Sequence, residues 1–136
     1  MIFVIHKHFA THLHWDLRLE MDGVLKSWAV PKEPPLKPNV KRLCIQVEDH
    51  NLDYADFEGE ILEGQYGAGK VEIWDKGEYE IIEKEDDVIR FKAIGRIFKG
   101  VYVLLRFRKA GKNTWLLFKT KYLNSQFFRH YDLQPF

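Results

Sequence analysis

Four of the six histidines, His6, His8, His12 and His14, fall within residues 3–20, F-V-I-H-K-H-F-A-T-H-L-H-W-D-L-R-L-E. From His12 onward, residues that bind metals or anions alternate with apolar ones. His12, His14, Asp16, Arg18 and Glu20 take the even positions, and Leu13, Trp15, Leu17 and Leu19 the odd ones. Successive side chains of a strand point to opposite faces, so the pattern predicts one apolar face and one face of imidazole, carboxylate and guanidinium. A merely solvated face would be served as well by Thr, Ser and Lys. This stretch reads as an active-site strand.

Two imidazoles and a carboxylate, from His8, His14 and Asp16, make a mixed nitrogen–oxygen set for one divalent ion. Three protein ligands leave open positions for water and substrate. Such a set accepts Mn, Fe, Co or Zn. Arg18 follows Asp16 on the same face, and its planar fork suits a phosphate or carboxylate held beside that ion. His50, in E-D-H-N-L-D-Y, titrates near neutral pH and suits proton donation to a leaving oxygen. Lys32 and Arg42 flank a proline-rich loop and are candidate phosphate contacts. Two other readings stand beside this one. His14, Asp16 and His50 match the two-histidine, one-carboxylate set of non-haem iron oxygenases, which leaves His8, Lys32 and Arg42 without a role. A non-catalytic nucleic-acid-binding module would hold the metal structurally, and such sites usually close with four ligands.

The elements that must position these residues are predicted as short strands. Residues 2–5 form the first, and 9–12 bend the chain, so periodicity alone does not say whether His8 faces the way His14 does. Met21-Asp22-Gly23 is a turn whose Asp-Gly pair suits a hairpin. Residues 24–30 return, and Pro31 opens an extended loop over 31–40 with Pro34, Pro35 and Pro38. Residues 41–48 alternate, with Leu43, Ile45 and Val47 on one face and Arg42, Cys44, Gln46 and Glu48 on the other. Residues 49–69 are irregular. Their G-Q-Y-G-A-G-K lacks the ending and the following helix of a phosphate loop, and reads as turn glycines. Residues 71–74, 78–82 and 88–94 are short strands, with 83–87 a solvated turn. Residues 100–108 and 114–120 form a hairpin, and 121–136 fit a short helix or extended chain. Many short strands at regular spacing predict an antiparallel barrel or sandwich.

At 136 residues with 46% hydrophobic and 15% aromatic content, the sequence is expected to form one domain, 1–136, with a packed core. Net charge is +1, but unevenly placed. Residues 1–87 carry ten Lys/Arg against nineteen Asp/Glu, and residues 88–136 carry eleven against one. That asymmetry points to a polyanion partner for the C-terminal part, with Arg106 and Arg108 on the polar face of its hairpin. The single cysteine, Cys44, cannot form an internal disulfide and is expected to be buried. No apolar run approaches the ~18 residues of a membrane span and no signal peptide is evident, so a cytoplasmic protein is expected.

Longer segments carry a resemblance. H-K-H-F-A-T-H-L-H-W-D-L-R-L-E, D-G-V-L-K-S-W-A-V-P-K, K-R-L-C-I-Q-V-E-D-H-N-L-D-Y and F-E-G-E-I-L-E-G-Q-Y-G-A-G-K-V resemble the 3′-phosphoesterase domain of bacterial and archaeal DNA ligase D. G-V-Y-V-L-L-R and W-L-L-F-K resemble the end of that domain. The resemblance implies a mainly β fold, a small antiparallel β-barrel with long loops and little helix. It implies a manganese-dependent hydrolase of non-homologous end joining, with Co²⁺ or Zn²⁺ as other candidate ions. Such domains remove a 3′-terminal ribonucleotide as a phosphodiesterase and then the 3′-phosphate as a phosphomonoesterase, leaving a 3′-hydroxyl. By motif position, His8, His14 and Asp16 hold the metal, and Arg18, Lys32, Arg42 and His50 surround the phosphate. Glu48 and Tyr54 are further active-site residues on the same ground. The expected partners are DNA or RNA-containing primer–template 3′ ends, with a separate ligase and polymerase acting in trans, and the protein is expected to be a monomer. Longer members of the family carry an acidic N-terminal arm, and this sequence begins at its first strand. Trp15 stands where Tyr is usual, and His6 where Gln is common.

Overall fold

The computed structural model describes residues 1–65 and 67–121. Its strands are β1 (Ile2–Phe9), β2 (Leu13–Met21), β3 (Val24–Val30), β4 (Lys41–His50), β5 (Gly59–Ile61), β6 (Gly69–Glu85), β7 (Val88–Ile94), β8 (Lys99–Arg106) and β9 (Thr114–Lys119). Short 3-10 turns lie at Leu52–Asp56 and Arg108–Ala110. Hydrogen bonding runs β1-β2-β3-β4-β9-β8-β7-β6 and closes through β1–β6, an antiparallel barrel of eight strands with β5 added outside on β6. This is the β-barrel expected. Among the described residues no helix is long and apolar enough to cross a membrane. The ambiguous tail, from residue 122 onward, lies outside the described residues.

The interior follows from strand alternation. Phe3, Ile5, Trp15, Leu17, Leu19, Trp28, Val30, Phe91, Tyr102, Leu104, Trp115 and Leu117 point inward into one cluster. Trp28 and Trp115 meet edge to face at 5.8 Å. An eight-stranded barrel is just wide enough for its own side chains to fill. Truncating Leu17, fully buried, would therefore leave a void and cost roughly 2–5 kcal/mol. A filled interior has a second consequence: a substrate site must lie outside the wall.

Three local expectations change. Residues 71–74 and 78–82 are parts of one strand, β6, of 17 residues. The intervening Asp75-Lys76-Gly77 stays extended because β6 pairs with β1 over its first half and with β7 over its second. A Cβ at Gly77 would sit 2.3 Å from the Ile94 carbonyl oxygen, so only glycine allows that approach. Asp75 is buried and accepts the backbone N–H groups of Arg96, Ile97 and Phe98, fixing the turn before β8. The charged run before β7 shrinks to a turn at Asp86 and Asp87.

On β4 the inward face carries Cys44, whereas Leu43 and Ile45 are exposed. Cross-strand neighbours decide this. Cys44 pairs with Trp115 and Gln46 with Trp28, and residues directly opposite share a face of the sheet. The two tryptophans fill the interior there, leaving room for a small side chain. Cys44 is fully buried, as expected, and burial raises its thiol pKa.

Candidate metal centre and phosphate site

The β1–β2 hairpin sets the site through its register. His8 pairs with His14, His6 with Asp16 and Val4 with Arg18, so all these side chains share the outer face of the wall. That register answers the question left open by the bend after β1. The outer face is itself covered: Asp16 is 5% exposed and Arg18 4%. Its cover includes the 3-10 turn Leu52–Asp56, which brings Ala55 and Tyr54 against Val4 and Leu25.

His8, His14 and Asp16 converge so that their ligand atoms lie within 4.8 Å of one another. His8 Nδ1 is 3.6 Å, and His14 Nε2 3.3 Å, from Asp16 Oδ2. The far nitrogens are held by carbonyls, which only accept. His8 Nε2 donates to Gly67 at 2.8 Å, and His14 Nδ1 to His12 at 3.0 Å. In the tautomers these bonds select, each imidazole turns its other nitrogen, the one that can bind an ion, toward the carboxylate. Three electron-pair donors facing one point repel unless a cation lies among them. The residues present fit a divalent ion, with carbonyls orienting its ligands. In the absence of an ion a proton takes that place. The bond to Asp16 outweighs burial and raises the His14 pKa. Burial disfavours the Asp16 carboxylate, but His14 and His8 beside it and the charge of Arg18 outweigh that and hold the carboxyl below its usual range.

Arg18 is fixed on four sides. Nε donates to His6 Nδ1 at 3.0 Å, Nη1 to Ser27 Oγ at 2.8 Å, and Nη2 to Asp16 Oδ2 at 3.3 Å. The Tyr54 ring lies 5.0 Å from its guanidinium carbon. Burial lowers the Arg18 pKa, the Asp16 charge opposes that, and the guanidinium keeps its charge. His6 and Ser27, both fully buried, are contributors that sequence reasoning missed. Two signals pointed to them. His6 has the parity of His8 on β1, and Ser27 is the hydroxyl residue opposite Arg18 in V-L-K-S-W-A-V.

His50 reaches this face through a β-bulge. Ser27 pairs with Val47 but Leu25 with His50, so β4 carries one extra residue there. Without it, Asp49 would oppose Leu25 and His50 would turn to the other face. His50 Nδ1 lies 3.2 Å from both Arg18 Nη1 and the Glu48 carbonyl oxygen. The two contacts need opposite tautomers, and Arg18 can only donate. The buried cation decides it: Nδ1 accepts and Nε2 carries the proton. Burial first, then Arg18, lowers the His50 pKa, so the ring is neutral at neutral pH. Because His50 points at Arg18, the structure does not join it to His14 and Asp16 as the third ligand of an oxygenase set.

His8, His14, Asp16, Arg18, His50 and Tyr54 line one cleft of about 350 Å³. Tyr54 stacks on Phe57 at 5.0 Å and lies 4.6 Å from the His50 ring. Three expected residues are not in its lining. Lys32 and Arg42 line a neighbouring cleft, and the Glu48 side chain is exposed where β4 bulges. Of the glycine-rich segment, Gly64 and Gly67 take positive φ in turns, as read, and Gly69 and Lys70 already belong to β6. Gly67, at φ +76°, holds the carbonyl that orients His8.

A family model described as the DNA ligase D 3′-phosphoesterase domain matches residues 6–106. The chain belongs to this family. A multifunctional non-homologous end joining protein LigD of Pseudomonas aeruginosa is 49% identical over 125 residues, 88% of this chain and 15% of that protein. The corresponding non-homologous end joining DNA repair protein of Mycobacterium tuberculosis is 48% identical over 124 residues, and that of Mycolicibacterium smegmatis 42% over 130. The chain thus spans about a sixth of the length of these relatives, 15% to 17%. The match to the 3′-phosphoesterase family begins at His6 and its range includes every residue of the cleft.

Proposed function

We propose that the chain is a metal-dependent 3′-phosphoesterase that heals DNA ends for repair. It takes a 3′-terminal ribonucleotide off by diester hydrolysis and a 3′-phosphate by monoester hydrolysis, leaving a 3′-hydroxyl for ligase and polymerase activities. The observation that carries this reading is the juxtaposition of His8, His14 and Asp16, each imidazole oriented by a carbonyl, with a buried and fully tethered Arg18. Family membership supports the same reading.

His8, His14 and Asp16 would hold the ion, manganese by preference, which supplies Lewis-acid polarisation of the phosphate and a more acidic water. Arg18 offsets charge that grows on the phosphoryl oxygens, and its tethers to His6 and Ser27 mean that it need not reorganise during the reaction. His50, neutral with its proton on Nε2, donates a hydrogen bond toward the departing 3′-oxygen. Tyr54 walls the cleft and presses on the ring of His50.

The test is product analysis on labelled primer–templates that end in one ribonucleotide or in a 3′-phosphate. The expected product is a 3′-hydroxyl strand that a ligase can seal, formed with a divalent ion and not in EDTA. Unchanged ends at saturating metal would overturn the reading.

A further inference from the structure

We infer that the nucleic-acid backbone leading to the metal cluster runs along a cationic groove on one rim of the barrel. This rests on the proposed function and adds the path of the substrate. Two clefts, of about 380 and 230 Å³, adjoin because both are lined by Lys41. The first also holds Lys32 and Arg42, and the second Lys119 and Lys121. Among the described residues no carboxylate lines either one. The groove begins beside the active cleft: Ala29 lines the cleft and Pro31 the groove. Two residues of extended chain separate them by about 7 Å.

Ion pairing distinguishes the two rims. Antiparallel strands place the end of β3, the start of β4 and the end of β9 on the groove's rim. The turns at Asp22 and at Asp86–Asp87, with the end of β8, lie on the opposite one. On that opposite rim the cations of the strands and Arg108 are neutralised, and among the described residues Lys109 and Lys112 of the β8–β9 turn are the exceptions. Lys26 pairs with Asp49 at 3.0 Å, Lys84 with Asp22 at 3.7 Å, and Arg106 and Arg108 with Asp87 at 3.3 and 2.7 Å. Arg106 is also held over Trp115 at 4.6 Å. Along the groove, none of Lys32, Arg42, Lys119 and Lys121 has a carboxylate partner among the described residues. Cations without internal partners are the ones that release counterions when phosphates replace them.

The groove is also built rather than improvised. Arg42 Nε donates to the Glu33 carbonyl at 2.8 Å, and Tyr102 Oη to that of Pro35 at 2.8 Å, tying the proline-rich loop to the barrel. Of the C-terminal cations, Lys119 and Lys121 are thus the ones placed on the substrate's path, and Arg106 and Arg108 are not.

The experiment measures the affinity of metal-free protein for a fluorescent 3′-phosphorylated primer–template between ~50 and ~200 mM salt. The variants are K41Q/K119Q/K121Q, the milder K119Q/K121Q, and R106Q/R108Q, each checked by thermal melting. The triple groove variant is expected to bind at least ~10-fold more weakly at low salt. Each lost phosphate contact should shallow the log–log salt slope by ~0.7–0.9, roughly 2–3 in all for the triple variant, and the double groove variant should lie between it and wild type. R106Q/R108Q should keep the parental slope. A parental slope in both groove variants, or a flattened one in R106Q/R108Q alone, overturns the inference. Groove-dependent binding without hydrolysis would sink the proposed function and leave the groove standing.

Discussion

Arg18 donates through Nε to Nδ1 of His6 at 3.0 Å, and the opposite nitrogen of that ring donates to the Phe57 carbonyl at 3.1 Å. The imidazole thus acts as a rigid spacer between a buried guanidinium and the backbone. Glutamine can repeat both bonds, with its oxygen toward Arg18 and its amide toward Phe57. His6→Gln is expected to keep kcat/KM within a few-fold, whereas His6→Ala leaves a buried N–H unpaired and should cost on the order of 1.5–3 kcal/mol. Equal activity in the two variants would show that Arg18 needs no such support.

The same residue sets a pH dependence of stability. Burial, then the charge of Arg18, lowers the His6 pKa from 6.5 to about 4. Between those values the unfolded chain takes up a proton that the folded chain refuses. Stability from His6 is therefore complete above pH 6.5 and lost as pH falls toward 4. His14, raised by Asp16, works the other way and loses its contribution as pH rises through its folded-state value. Denaturant unfolding of wild type and His6→Gln in EDTA isolates the first effect. Their difference should change by about 3 kcal/mol across the window, and a flat difference would contradict the assignment.

Ligand variants should separate metal binding from folding. Saturating Mn²⁺, at ~100 times Kd, should stabilise the wild type by about 2.7 kcal/mol. His14→Ala should lose both that stabilisation and turnover while remaining folded, since His14 lies outside the packed interior. A wild-type metal-induced shift in melting temperature would place the ion elsewhere.

Much of this site was legible in the sequence, for a physical reason. Strict alternation over β2 can be met by one geometry, and Asp22-Gly23 adopts the positive φ values, 55° and 80°, of a tight hairpin turn. The facing of β4 was not legible, because Trp28 and Trp115, distant in sequence, decide which side of it enters the barrel. Nor was the bulge that turns His50, since a register shift leaves no periodic trace. Tyr54 came from resemblance alone, as its 3-10 turn has no repeating pattern. Lys32 and Arg42 carried the right charge, but Lys32 lies in the loop beyond β3, and Arg42 opposes the interior Leu117 across β4–β9 and so is off the outer face that carries the site; both line the adjoining groove.

For His50, a neutral hydrogen-bond donor matters most when the leaving oxygen is a poor one. His50→Ala should therefore lose far more activity on a 3′-phosphorylated strand than on an aryl phosphate with an acidic leaving group. Equal losses on both would remove the leaving-group role, and a trapped phosphohistidine at position 50 would replace it.

The most direct measurement is a titration of metal-stripped protein with Mn²⁺, following turnover of a 3′-phosphorylated primer–template, for wild type and Asp16→Asn. Asparagine keeps the shape of the ligand and removes its charge. We expect no turnover without metal, saturable recovery in the wild type, and a half-saturation shifted upward by at least ~10-fold, or no recovery, in the variant. Full turnover of wild type in EDTA, or superimposable titrations of the two proteins, would contradict a metal centre built on His8, His14 and Asp16.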